Sequence, residues 1–423
     1  MSSSTRVSEM RVRMRGFARY TKLDDALKIV LSQVKRLGSE TVSFERALGR
    51  VLAEDVVSKT DVPPFDRSAV DGYAVRAADT FGTTETKPRR LRVIGSIPIG
   101  APTRLRVRRG EAAKIMTGAP MPAGANAVVM VEHVSARGKQ LDVHAPLTPG
   151  KNVSARGEDV RVGEVVLKRG QLLRPQDIGM LASTGNLRVR VARRPRVAIL
   201  ATGSELRKPG ARLGPAKIAD TNSYSLAAAV TRCGGVPRRL GIVPDNPKPL
   251  RRALRKALKH DAVLVSAGSS VGERDIVPDV IREMGKLLLH GIAIRPGGPT
   301  AFGLVGGKPV FALAGFPVAS LVAFDMLVRP ALRAMQSLPA DRGFPRVRAK
   351  LARKISSTLG RADIVRVGLR SRRGVLMAEP IRVTGSGILS SMTRADGFVI
   401  VPEDVEGFGE GASVEVELYQ LPL

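Results

Sequence analysis

The chain has 423 residues, 43% of them hydrophobic and 25% charged, which excludes a disordered composition and predicts two to four domains. Its 69 Lys and Arg against 38 Asp and Glu give a formal net charge of +31, but the basic residues are spread along the chain and aromatics make up only 4%, so specific nucleic-acid recognition is not expected. One cysteine, Cys233, excludes an intrachain disulfide and a thiolate metal cluster, and no apolar run reaches the roughly 18–20 residues that span a bilayer.

Residues 21–37 space Leu23, Ala26, Leu27, Val30, Leu31, Val34 and Leu37 along one helical face. Thr21 with Asp24 resembles a capping box, and Gly38 closes the helix. Residues 50–57 read as extended and run into the Pro-rich segment DVPPFDRSAVDGYAV. Short strands are predicted at 90–94, 127–131, 140–143, 164–167 and 187–191, separated by Gly and Pro turns. From Pro195 the texture changes. RVAILATGSEL is a strand and loop, and DTNSYSLAAAVTRCGG is a helix that Asp220 or Asn222 can cap. PRRLGIVPDNP, PKPLRRALRKALKH, DAVLVSAGSSVGERD, IVPDVIREMG and ALAGFPVASLVAFDMLVRPAL continue the alternation of strand and helix. Such spacing predicts a mostly parallel sheet covered on both faces. Beyond Pro345 the pattern returns to β alternation, as in a small separate domain.

The loops after the predicted α/β strands share one character. They are rich in Gly, Ser and Thr, and several carry an acid: Thr202-Gly203-Ser204-Glu205, Pro244-Asp245, Ser266 to Asp275, Arg295 to Thr300, and Leu313 to Pro317. Parallel strands would bring them to one sheet edge, where glycines and turn N–H groups hold anions. Acids at that edge would repel a phosphate unless a hard cation lies between them. Glu205, Asp245 and Asp275 therefore read together as a magnesium–phosphate site. The four histidines show no ligand spacing, so zinc is not expected.

Islands in the first half complete the pattern. PPFDRSAVDGYAVR concentrates Asp66, Arg67, Ser68, Asp71 and Tyr73, and IMTGAP and ARGEDV follow. On these islands, with TGSEL, DTNSYSL, SSVGERD and RPGGPTAFG in the same order, the chain resembles the molybdopterin molybdenumtransferases of the MoeA type, the family that includes the gephyrin E domain.

The resemblance implies a multidomain α/β plus β protein. A MogA-like α/β domain would take residues 19–38 and 193–335, a β-rich linker domain 39–60 and 144–192, a β-rich arm 61–143, and a C-terminal β-barrel domain 336–423. It also implies a cytoplasmic homodimer that inserts molybdate, or tungstate, into adenylylated molybdopterin with magnesium and releases AMP. A MogA-type adenylyltransferase is a candidate partner.

Carried over by motif, the catalytic positions would be Asp71, Thr117, Asp159, Glu205, Asp245 and Asp275, the last three holding magnesium. Substrate would be bound by Thr202, Gly203, Asp220, Ser266, Gly268, Ser269, Ser270, Gly272, Arg295, Pro296, Gly297, Gly315 and Pro317. The family has Asp at Ser204, Gly at Ala267, Lys at Gly298 and Pro at Ala314. Arg295 is the candidate to supply the charge of the missing Lys. The alternative reading is a catalytically weakened paralogue that binds cofactor or serves as a scaffold.

Overall fold

The structure, a computed structural model, describes residues 20–267, 275–381 and 385–420. The chain forms two compact units, residues 40–191 and the remainder on either side of them.

The unit of residues 40–191 is β-rich. Its six-stranded sheet runs in the order Ala127–Met130, Gly72–Val75, Glu111–Ile115, Arg89–Ile97, Gln140–Val143 and Val134–Arg137. Alternation sends Tyr73 and Val75 into one core with Leu91, Val129 and Leu141, and Ala74 into another with Ile97, Ile115 and Val128. Both faces are dry at this strand, so all four of its residues are buried. Gly72 is required there, because a Cβ would stand 1.8 Å from the Val129 carbonyl oxygen. A further core of Leu52, Val56, Leu167, Leu181 and Val191 gathers residues around the helix Pro175–Ser183. That helix escapes a periodicity reading: it is nine residues long and contains Gly179. Its start is nonetheless set by Pro175 and by Asp177, whose carboxylate accepts from the Arg174 N–H at 2.8 Å and from the Arg174 guanidinium.

The other unit begins with helix α1, Leu23–Gln33, shorter than its apolar spacing predicts. Thr21 is drawn into a bridge with Ile292, Lys22 becomes the N-cap residue, and the capping box of Thr21 with Asp24 does not form. At the other end Val34 is extended, and the Leu37 N–H donates to the Met335 carbonyl. Tertiary hydrogen bonds outweigh helical periodicity at both ends.

Six strands then form one sheet: β1 Arg196–Thr202, β2 Val236–Val243, β3 Ala262–Ala267, β4 Gly285–His290, β5 Ala301–Val305 and β6 Lys308–Ala314. Their order is β2-β1-β3-β6-β5-β4, and only β5 runs against the rest. Helices α2 Asn222–Arg232, α3 Pro247–Ala257 and α4 Ile276–Met284 connect them, and residues 317–335 form a final helix, α5, interrupted by a π turn at Phe324–Val328. One face of the sheet packs Ile199, Leu264, Phe311 and Phe302 against α1, α2 and α5. The other packs Leu200, Val265 and Val310 against Leu254 of α3 and Ile281 of α4. Burial on both faces explains the unbroken apolar runs of β1 and β3.

The C-terminal strands β7 Arg346–Leu351, β8 Ala362–Arg372, β9 Val375–Pro380, β10 Gly397–Val401 and β11 Ser413–Leu418 close into a barrel, because β8 pairs with both β9 and β10. Leu351, Val365, Val367, Val399 and Val416 fill it. The loop after β4 is stapled to this barrel: Ile294 and Arg295 pair in parallel with Ala362 and Asp363.

Candidate active site

From β1 the chain crosses to β2 on one side, and β3 and β6 lie on the other. That reversal is a topological switch point, where α/β sheets bind ligands at the strands' carboxyl ends. A cavity of about 250 Å³ opens there. Thr202, Glu205, Asp220, Ser266, Gly315 and Pro317, all expected from sequence, line it together with Asn222 and Phe316.

The wall is cross-braced. Asn222 Nδ2 donates to Ser266 Oγ and to the Gly315 carbonyl, each at 2.7 Å, joining the ends of β3 and β6 through the start of α2. Its buried Oδ1 has no partner among the described residues, so a ligand donor would complete it. Asp220 stands one residue before Thr221, the N-cap of α2, and its carboxylate accepts from the Ser223 N–H at 3.0 Å and from the Ser223 hydroxyl. Gly203 leaves room for the Glu205 carboxylate, whose oxygens lie 2.6 and 2.7 Å from where a Cβ would stand.

Asp245 is tied to the same edge: it accepts from Thr202 Oγ1 at 2.6 Å and from the Ser204 N–H at 3.0 Å. Asp275 stands at the N-cap of α4 and lines a pocket of about 20 Å³ with His290, Thr300 and Leu313. Gly268, Ser269, Ser270, Gly272 and Glu273 lie outside the described residues. No three Asp, Glu, His or Cys among the described residues stand close enough to hold a metal by themselves. The donors at this edge are carboxylate and hydroxyl oxygens, which suit magnesium, an ion that takes one or two carboxylates and completes its shell with water and phosphate.

A second cavity, about 500 Å³, lies where the loop after β4 meets the barrel. Phe316 belongs to its wall and to that of the first. Arg295, Pro296 and Gly297, expected at the same site as the other loops, line this second cavity instead, and so do Arg361 and Arg366 of the β8 region, which no sequence motif marked. Arg295 is engaged by Asp363, a carboxylate 1% exposed that also accepts from Ser357 Oγ at 2.7 Å. Its charge is therefore already matched, whereas Arg361 is exposed to the cavity. Burial lowers the pKa of Arg366. Gly297, at φ +111°, lets the loop lie on α5: a Cβ would stand 3.1 Å from the Ala319 carbonyl oxygen. At Gly298 a Cβ would meet the Tyr20 ring at 3.3 Å.

In the β-rich unit the structure joins Asp71 to Thr117. The Thr117 N–H and hydroxyl both donate to Asp71 Oδ1, at 2.7 and 2.8 Å, and hold its carboxyl below the usual range. Asp66 accepts from the Arg156 N–H at 2.7 Å, and Asp61 accepts from the Val162 N–H and the Arg156 guanidinium. The acids of the PPFDRSAVDGY segment thus pin the loops around Thr117 and Arg156. Asp159 is exposed, its N–H donating to the Val62 carbonyl.

Known proteins match the chain along most of its length. Residues 21–185 match the MoeA N-terminal region (domain I and II), residues 198–334 a probable molybdopterin binding domain, and residues 348–419 the MoeA C-terminal region (domain IV). Molybdopterin molybdenumtransferase 2 of Mycobacterium tuberculosis is 35% identical, covering 92% of this chain and 97% of its own. Molybdopterin molybdenumtransferase of Staphylococcus aureus is 32% identical, over 93% of this chain and 94% of its own. The crystal structure of the MoeA molybdopterin biosynthesis protein from Pyrococcus horikoshii superimposes with a TM-score of 0.82 at 38% identity, covering 95% of this chain and all of that one.

Proposed function

The chain belongs to the MoeA family of molybdopterin molybdenumtransferases, enzymes of molybdenum cofactor biosynthesis, and from that premise we propose that it inserts molybdate into adenylylated molybdopterin with magnesium and releases AMP. One observation carries the proposal: two cavities of opposite charge share Phe316. Among the described residues, the smaller is lined by Glu205 and Asp220 with no Lys or Arg, the larger by Arg295, Arg361 and Arg366 with no Asp or Glu.

The phosphoanhydride belongs in the acidic cavity and the oxyanion in the basic one. Magnesium, held by one or two of the acids Glu205, Asp245 and Asp275 together with substrate phosphate, would supply Lewis-acid stabilisation. The chain's own groups do the positioning. Asn222 Oδ1 accepts a hydrogen bond from substrate, Asp245 orients Thr202, and the Arg361 and Arg366 guanidiniums hold molybdate. Tungstate has the same charge and nearly the same size, and fits the same arginines. We take the four-domain division over 19–38 with 193–335, 39–60 with 144–192, 61–143 and 336–423, a cytoplasmic location, and a homodimer in which the partner's arm brings its Asp71, Thr117 and Asp159 to the cleft. A MogA-type adenylyltransferase would supply the substrate.

The test is AMP release from adenylylated molybdopterin with magnesium and either oxyanion. Oxyanion-dependent release with metal-loaded product supports the reading, and tight binding without release points to the scaffold alternative. The engagement of Arg295 by Asp363 is the observation that keeps that alternative in view. The dimer is tested by mixing Asp71→Ala and Asp275→Asn chains, each inactive alone. Verified mixed dimers should recover part of the activity.

A further inference from the structure

Asp275 is the N-cap residue of α4, yet its side chain makes no capping hydrogen bond. An N-cap Asp ordinarily accepts from an N–H of the first helical turn. Here Asp275 Oδ2 instead lies 3.1 Å from Nε2 of His290. His290 is the last residue of β4, where it pairs with Ala301 of the antiparallel β5. The next residue, Gly291, is held from two sides: its N–H donates to the Thr300 carbonyl, and its carbonyl accepts from the Thr21 N–H. His290 therefore stands on a strand end held by backbone hydrogen bonds, whereas Asp275 stands at the start of a helix. The ring and the carboxylate are half-exposed at the same edge, and both line the small pocket with Thr300.

We infer that His290 is a positioning residue for Asp275: its Nε2–H holds Oδ2 and so fixes the direction in which Oδ1 is presented to the substrate. The inference rests on the reading of Asp275 as a catalytic carboxylate. It requires only an N–H donor at that point, so the amide of Gln meets the requirement and Leu does not. A carboxylate used by a substrate must keep one orientation, and partners that hold such ligands typically matter by about 10- to 100-fold.

The experiment compares His290→Leu, His290→Gln, Asp275→Asn and the double variant His290→Leu/Asp275→Asn in the full-length protein. AMP release gives kcat and KM, pterin fluorescence gives the Kd for adenylylated molybdopterin, and thermal unfolding reports the fold. His290→Leu should lower kcat by about 10- to 100-fold with its melting temperature little changed, and His290→Gln should regain most of the loss. In the Asp275→Asn background, His290→Leu should cost nothing further, because residues that act as a unit are not additive. Normal turnover in His290→Leu, or a full additional loss in the double variant, overturns the inference while leaving Asp275 in its role. If Asp275→Asn itself turns over normally, the reading of Asp275 fails, whatever His290 does.

Discussion

The two cavities that meet at Phe316 are built from different material and differ in charge for that reason. The smaller lies within the α/β sheet, where loops of Thr, Ser, Gly and Asp follow parallel strands, and its polar groups are locked to each other: Asn222 to Ser266 and Gly315, Asp245 to Thr202. The larger is made by stapling one of those loops to a barrel strand, and its charge arrives on arginines. The first is an acceptor-rich site suited to a cation and phosphate, the second a donor-rich site suited to an oxyanion. The arginines of the larger cavity are not equivalent. Arg295 is neutralised by a buried carboxylate, whereas Arg361 is exposed.

The largest effect should come from the acidic edge. Asp275→Asn keeps the shape and removes the charge, and we expect magnesium-dependent AMP release to fall by about 10²–10³-fold with the fold intact. A variant that turns over normally breaks the distinction between the two sites. Next comes Arg295→Met, which leaves Asp363 as an uncompensated buried charge. Breaking a buried pair in this way costs about 3–5 kcal/mol, and the low end applies because the Arg295 side chain is 29% exposed. Urea unfolding measures the loss, and adding Asp363→Asn should restore most of it. If stability holds and only the molybdate KM changes, Arg295 is a ligand rather than a strut. Arg361→Ala should show the opposite signature: stability within about 0.5 kcal/mol of the parent, and a molybdate KM raised about tenfold by the loss of one charge-assisted contact.

How much of this was legible in the sequence follows the same division. The α/β strands and their loops could be read because burial on both faces gives unbroken apolar runs and because parallel strands put their loops at one edge. Thr202, Glu205, Asp220, Ser266, Gly315 and Pro317 duly share one cavity. Asn222 was legible only as a possible cap, since its reach to two other strand ends is a tertiary fact. His290 carried no ligand spacing because its partner lies 15 positions away in sequence, across a helix and a strand. Arg361 and Arg366 carried no signal in a chain with 69 basic residues, where composition hides the few that line a cavity. Helix α1 lost both predicted ends because Thr21 and Leu37 had better backbone partners elsewhere.

The smallest effect lies in the β-rich unit and tests whether its acid is held ready as those of the α/β edge are. The Thr117 backbone N–H and, after it, the Thr117 hydroxyl hold the Asp71 carboxyl below its usual range. A depressed folded-state pKa stabilises the protein above the unfolded value, near 4, and this contribution is lost as pH falls through the folded value. Thr117→Val removes the hydroxyl and keeps the N–H. The Asp71 pKa should therefore rise part of the way toward its ordinary value, read by carboxyl ¹³C NMR. The stability difference between variant and parent should be present at neutral pH and vanish in acid once both carboxyls are protonated. A rise that persists with no stability difference would show that the unfolded chain already makes the contact. An unchanged pKa would show that the N–H alone sets the acid, leaving the Thr117 hydroxyl free to serve the substrate.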